Sequence, residues 1–189
     1  MHLVKVCSKS TTIAAYCSGK HWSQGTEKYF TLPNFSVEVF QEYWEWIYSG
    51  TISFTRCTQE SEPKNKYAEL MMLVDIYRAG SRLGDVQLRN VATLEMSKSF
   101  QVCNIIPDRG LSADVWAMEP LGTCMRKLFL NFMVGRVRRE MLGQTLSQYP
   151  SKFIQDIALA ALQKAPVVDW ELALADKLQY LEPEPKDKT

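Results

Sequence analysis

Residues 29–54 read YFTLPNFSVEVFQEYWEWIYSGTISF, and the pattern of this stretch predicts strand, helix, strand. Tyr29-Phe30-Thr31-Leu32 is apolar and β-prone, and Pro33-Asn34 stops it. Ser36 is suited to cap a helix N-terminus, with Glu38 in the first turn where the helix dipole favours an acidic group. Gly50 supplies the C-terminal stop. Thr51-Ile52-Ser53-Phe54 then alternates polar and apolar, as a half-buried strand does. Each helical residue turns about 100°. On that wheel Glu38, Gln41, Glu42 and Glu45 form a polar stripe. Val37, Phe40, Trp44, Ile47 and Tyr48 fill the opposite arc, and Phe40, Trp44 and Tyr48 read as core. Val39, Tyr43 and Trp46 carry the apolar arc past what one buried face needs. The helix is therefore expected at the centre of the molecule, packed on more than one side. Val39, Tyr43 and Trp46 face either the other helices or a second protein chain.

On the N-terminal side, residues 2–9 and 11–17 are two short helical candidates, closed by Ser18-Gly19. A polar loop around His21 and Trp22 joins them to the opening stretch. On the C-terminal side, the charged segment 55–66 reads as an exposed loop. Residues 67–83 place Tyr67, Leu70, Val74 and Tyr77 on one stripe with Met71 beside it, an amphipathic helix. Gly84-Asp85 serves as its stop and as the cap of the next helix, which carries Leu88, Val91, Ala92 and Met96. Pro107 and Gly110 mark a break over 104–112, read as a domain boundary. Beyond it the pattern is helical: 113–119, 121–137 with Leu128, Phe129 and Phe132, a helix after Tyr149-Pro150 with Phe153 and Ile157, and a last one from Asp169. The end, EPEPKDKT, reads as a solvated, disordered tail.

Composition narrows the function classes. Of 189 residues, 46% are hydrophobic and 11% aromatic, enough for one ordinary core. Twenty-two basic and 21 acidic side chains leave a net charge of +1, which gives no general pull toward nucleic acid or an anionic membrane. No apolar run approaches the roughly 18 residues of a transmembrane helix, and the N-terminus is too interrupted for a secretory signal. Five dispersed cysteines (Cys7, Cys17, Cys57, Cys103 and Cys124) argue against a disulfide framework and for a reducing, intracellular setting, nucleus or cytoplasm.

Candidates for chemistry are few. Cys17 and His21 are spaced like half of a metal site, but a structural zinc needs four ligands in close pairs. The same few residues would have to supply any Cys–His nucleophile, and no phosphate loop or nucleophile elbow is present. Glu38, Glu42 and Glu45 share a helix face, which is the ordinary look of a solvated stripe. Arg126-Lys127, Arg136, Arg138 and Arg139 form a basic cluster, read as a helix C-terminus favoured by the dipole rather than as a nucleic-acid patch. No catalytic residue, metal site or cofactor is expected.

FTLPNFSVEVFQEYWEWIYSGTISF resembles the heart of a BTB/POZ domain. Members read as a strand ending in L-P, then a helix F-x-x-x-[LFY]-x-[WF]-[ILM]-Y-[ST]-G, then a short strand. Phe40, Trp44, Trp46, Ile47, Tyr48, Ser49 and Gly50 stand on that motif, with Leu32-Pro33 before it. LVDIYRAGSRLGDVQLRN is similar to the family's next segment through Leu73, Tyr77, Leu83, Leu88, Arg89 and Asn90, with Gly80 in place of the usual alanine. HLVKVCSKS, from His2, resembles the family's His-start helix, Leu3 replacing a lysine. LSQYPSKFIQDIALAAL looks like the C-terminal extension of fungal BTB proteins. The family's front hairpin has no counterpart ahead of Met1-His2, which implies an incomplete sheet, exposed apolar surface and altered dimerisation.

The resemblance implies an α+β fold: mostly helical, with helices around a small, N-terminally incomplete sheet. It spans a BTB/POZ-like domain over 1–103, a helical extension over 104–182 and a tail over 183–189. It implies a non-catalytic module for homo- or hetero-oligomerisation, an adaptor whose partner is itself, another BTB protein or, in some members, a cullin-based ubiquitin ligase. The candidate partner interface is His2, Leu3, Val39, Tyr43 and Trp46.

Overall fold

The structure, a computed structural model, describes residues 3–18, 35–53, 57–103, 106–118, 123–136 and 148–163. Among these, every regular element is a helix. They are α1 (Leu3–Lys9), α2 (Thr11–Ser18), α3 (Val37–Ser49), α4 (Pro63–Leu83), α5 (Val86–Cys103), α6 (Arg109–Trp116), α7 (Thr123–Arg136) and α8 (Ser151–Gln163).

The α+β expectation is thereby corrected: the described residues contain no strand. The expected strand at 29–32 and the expected helix from Asp169 lie outside the described residues, as does Phe54. Residues 51–53 form no regular element. The Thr51 N–H donates to Ser49 Oγ at 3.0 Å and the Ser53 N–H to Glu42 Oε2 at 2.9 Å. These backbone donors go to side chains of the preceding helix, so no ladder forms, and the alternation reduces to Ile52 tucking inward.

Helix ends follow local chemistry. Ser36 Oγ accepts from the Val39 N–H at 3.2 Å, and Gly50 closes α3 in the left-handed region at φ 72°, its N–H on Trp46 O. Gly84 ends α4 at φ 66°, with the Asp85 N–H bonded to Gly80 O at 2.9 Å. Asp85 then caps α5, its Oδ1 accepting from the Leu88 N–H at 2.9 Å. Asp108 does the same for α6 through the Leu111 N–H.

The hub is α4. Leu70, Leu73, Val74, Ile76, Tyr77, Ala79 and Leu83 are all buried, covering more than one face. Against it pack α5 along its length, and α3, α2 and α6. Gly80 lets α5 approach: a Cβ there would stand 2.9 Å from Arg89 Cγ and 3.1 Å from Asp85 O. The N-terminal helices seal the far end of α4. Ser10 Oγ donates to Leu83 O at 2.7 Å and accepts from the Ile13 N–H, and Thr12 Oγ1 donates to Arg82 O. Carbonyls that the helix end leaves unpaired are satisfied this way.

An aromatic cluster carries the core into the C-terminal helices. Phe100 stacks on Phe132 (4.3 Å between centroids) and meets Phe129 edge-on at 5.2 Å. Trp116 meets Phe153 at 4.6 Å and donates its Nε1–H to Asp156 Oδ2 at 2.8 Å. One hydrophobic cluster runs from Val6 to Ile157, across the break at 104–112.

Candidate functional site

The wheel of α3 divides into three sectors. Val39, Tyr43, Trp46 and Ile47 are buried, at 5%, 2%, 4% and 2% exposure. The next sector holds Val37, Phe40, Trp44 and Tyr48, exposed at 71%, 39%, 37% and 38%. The third holds Glu38, Gln41, Glu42 and Glu45. Phe40, Trp44 and Tyr48, expected in the core, instead face outward, and of the two settings open to Val39, Tyr43 and Trp46 the structure shows the packed one, against the other helices. Asp85 sits buried at the α4–α5 corner and takes a side-chain donor besides the α5 backbone. Trp46 supplies it, Nε1–H to Oδ2 at 2.9 Å. That bond and the burial of Val39, Tyr43 and Ile47 go with a rotation of α3 that leaves the 40/44/48 row outward.

That row is an aromatic ladder at i, i+4, i+8 spacing. Phe40 and Trp44 centroids lie 6.5 Å apart, and Trp44 and Tyr48 centroids 5.0 Å apart, tilted at 40° and 46°. Lys5 Nζ stands 5.0 Å over the Tyr48 ring and donates to Tyr48 O, so α1 anchors the ladder's C-terminal end. With Val37, the stripe spans about 16 Å along the helix at 1.5 Å per residue.

The row has an acidic edge on α3 itself and the Lys5 ammonium of α1 at its C-terminal end. α3 carries no basic residue. Hydrogen bonding to the helix-start backbone, then to Ser36, holds the Glu38 carboxyl below its ordinary pKa. Inside the fold, burial raises Asp85 above the usual aspartate range, against the opposing bonds from the Leu88 N–H and Trp46. Burial, with the Asp85 charge second, pushes the Tyr43 phenol well above its ordinary value, and Ser10 opposes the rise.

The other expected site residues place as follows. His2 lies outside the described residues. Leu3 opens α1, and its side chain is not among those described. Cys17 is half-buried on α2, and His21 lies outside the described residues. Among the described residues no group of three or more His, Cys, Asp or Glu is placed to hold a metal. In the basic cluster, Arg126 of α7 reaches to the end of α6, donating to Val115 O at 3.3 Å and Trp116 O at 2.7 Å. Arg138 and Arg139 lie outside the described residues. A cleft of about 190 Å³ between the start of α3 and α4 is lined by Phe35, Ser36, Val39, Asp75, Arg78, Ala79 and Arg82. Its Arg78 is bound to Asp75 and to Asp114. Burial raises Asp75 above the usual aspartate range, while Arg78 opposes the rise. No described helix is long and apolar enough to cross a membrane.

Comparison with protein-family models, curated proteins and solved structures gives no match.

Proposed function

We propose that this chain is a non-catalytic protein–protein interaction module, with the aromatic ladder of α3 as its contact surface. The observation that supports this most is the exposure of Phe40, Trp44 and Tyr48, with Val37, on a helix whose Val39, Tyr43, Trp46 and Ile47 fill the core. Aromatic side chains supply large contact area at small cost in rotamer freedom, which is why they concentrate at interfaces. The resemblance of 40–50 and 73–90 to BTB/POZ helices points to the same class. It supports oligomerisation or an adaptor role, including the cullin-linked one, without the sheet, which is excluded for residues 51–53. The non-catalytic reading is supported by the employment of the buried carboxylates: Asp85 caps a helix, and Glu69 accepts from Ser99 Oγ and from the Cys57 N–H. An intracellular setting is supported by Cys7 and Cys57, which take part in no disulfide.

Site-specific photo-crosslinking tests the proposal. A benzophenone amino acid placed at Trp44 of the full chain is irradiated in lysate from its native cell, with the same group at exposed Gln155 as the control. Protein adducts at position 44 that are absent at 155 are expected. Equal labelling, or none, at 44 refutes the proposal.

A further inference from the structure

Three features outside the core invite a function: the cleft at the start of α3, the exposed Leu159 and Leu162 of α8, and the acidic edge beside the aromatic ladder. The charges of the cleft are already spent on one another, since Arg78 is held by Asp75 and Asp114. Leu159 and Leu162 stand exposed at 57% and 80% with nothing beside them that selects an occupant. The third feature does select one.

We infer that the α3 surface accepts a basic amphipathic helix of a partner protein, about three turns long. This rests on the interaction-module reading and names the partner's chemistry. A helix laid in a groove or along a ridge is read through apolar anchors at i, i+3, i+4 and i+7, and the Val37–Phe40–Trp44–Tyr48 row offers the matching spacing. Its rim is acidic on one side. Gln41, Glu45, Glu38 and Glu42 follow the ladder around the wheel, each about 40° or less from the last. Glu38 and Glu45 are exposed, whereas Glu42 is partly engaged with the Ser53 N–H. An apolar anchor row beside a carboxylate row is complementary to a helix carrying leucine-like residues on one face and lysine or arginine along the edge of it.

Other occupants fit less well. A second copy of α3 paired antiparallel about a two-fold axis sets its own Glu edge beside this one, and like charges repel there. An anionic membrane attracts polybasic segments, not an acidic edge. Nucleic acid is excluded from this face for the same reason.

The experiment uses the full chain and a fluorescent 18-residue peptide with a Leu/Lys amphipathic repeat, followed by anisotropy in 50 mM NaCl. A matched Leu/Glu peptide is the charge control. The Leu/Lys peptide is expected to bind at least tenfold tighter than the Leu/Glu one. Trp44→Ser should weaken it at least tenfold, the pair Glu38→Lys with Glu45→Lys by a similar factor, and 500 mM NaCl several-fold. Far-UV circular dichroism establishes that both variants keep the helical fold, as exposed positions allow. Equal binding of the two peptides, sensitive to Trp44→Ser, overturns the basic partner and leaves the aromatic contact surface standing. Leu/Lys binding that Trp44→Ser leaves unchanged overturns the inference, as does no binding at all. So does a dimer in light scattering that Trp44→Ser dissolves, which would make a second copy the occupant, or binding to phosphatidylserine vesicles that this substitution removes. Crosslinking at position 44 together with a silent peptide removes the partner's chemistry alone.

Discussion

Asp85 is the residue on which three elements meet. It caps α5, holds the Trp46 indole and follows the left-handed Gly84 that ends α4. Asp85→Ala removes the cap and strands a buried indole N–H, and should cost about 2–3 kcal/mol in urea denaturation. Asp85→Asn keeps an acceptor for the Leu88 N–H but sets its amide NH2 against the Trp46 indole N–H, and should cost about 1–2 kcal/mol at neutral pH. The pH dependence separates them further. Because the folded pKa of Asp85 is raised, the folded state holds this proton more tightly than the unfolded chain. Its contribution to stability therefore falls as pH rises from the ordinary aspartate range through the raised value, and Asp85→Asn should remove that part of the slope. Gly80 gives a second residue-scale outcome. Alanine is the better helix former by about 1 kcal/mol, yet its Cβ would press on Arg89 Cγ and Asp85 O. Gly80→Ala should lower stability by about 1–3 kcal/mol, measurable as a lower denaturation midpoint with an unchanged slope. The glycine standing where the resembled family has alanine is thus a packing residue of the α4–α5 contact.

The predictive power of the sequence was greatest at helix ends, because a cap is a contact between near neighbours. Ser36, Gly50 and the Gly84-Asp85 pair all do what their side chains and backbone freedom suggest. The orientation of α3 was not legible. Its wheel is apolar over most of its circumference, so hydrophobicity alone leaves several rotations nearly equal, and contacts distant in sequence, among them the Trp46 bond to Asp85 39 positions away, go with the one observed. Nor was the absence of a strand at 51–53 legible: a polar–apolar alternation over four residues satisfies a strand pattern, but Glu42 and Ser49 take the backbone donors first. At this scale the two sides of α3 should answer differently to mutation. Trp46→Glu buries an unpaired charge beside Asp85 and should abolish the fold, seen as loss of the cooperative thermal transition. Phe40→Ser and Trp44→Ser sit on the exposed row and should shift stability by no more than about 1 kcal/mol while removing association.

Across the whole molecule, the helix at the centre is α4 rather than α3. The 67–83 stripe showed that α4 is amphipathic, but Ile76 and Ala79, off that stripe, are also buried because α3, α5, α2 and α6 surround it. A helix's neighbours set how much of it is covered, and they are known only once the chain is folded. The C-terminal helices join the same core through Phe100, Phe129, Phe132, Trp116 and Phe153. Phe100→Ala opens a cavity at the α5–α7 contact and should cost about 3–5 kcal/mol. Because the cluster is continuous, near-ultraviolet and far-ultraviolet dichroism should still report one coincident transition at the lower midpoint.

The central claim, that the 40/44/48 row is a docking surface, is tested most directly by following the tryptophan indole N–H signals in ¹⁵N–¹H spectra while the Leu/Lys peptide is added. Trp44 stands on the exposed row, whereas Trp46 and Trp116 are bonded to Asp85 and Asp156 inside the fold. The expected result is a saturable shift of the Trp44 signal with those of Trp46 and Trp116 unmoved. A Trp44 signal that stays in place while the peptide binds would contradict the account.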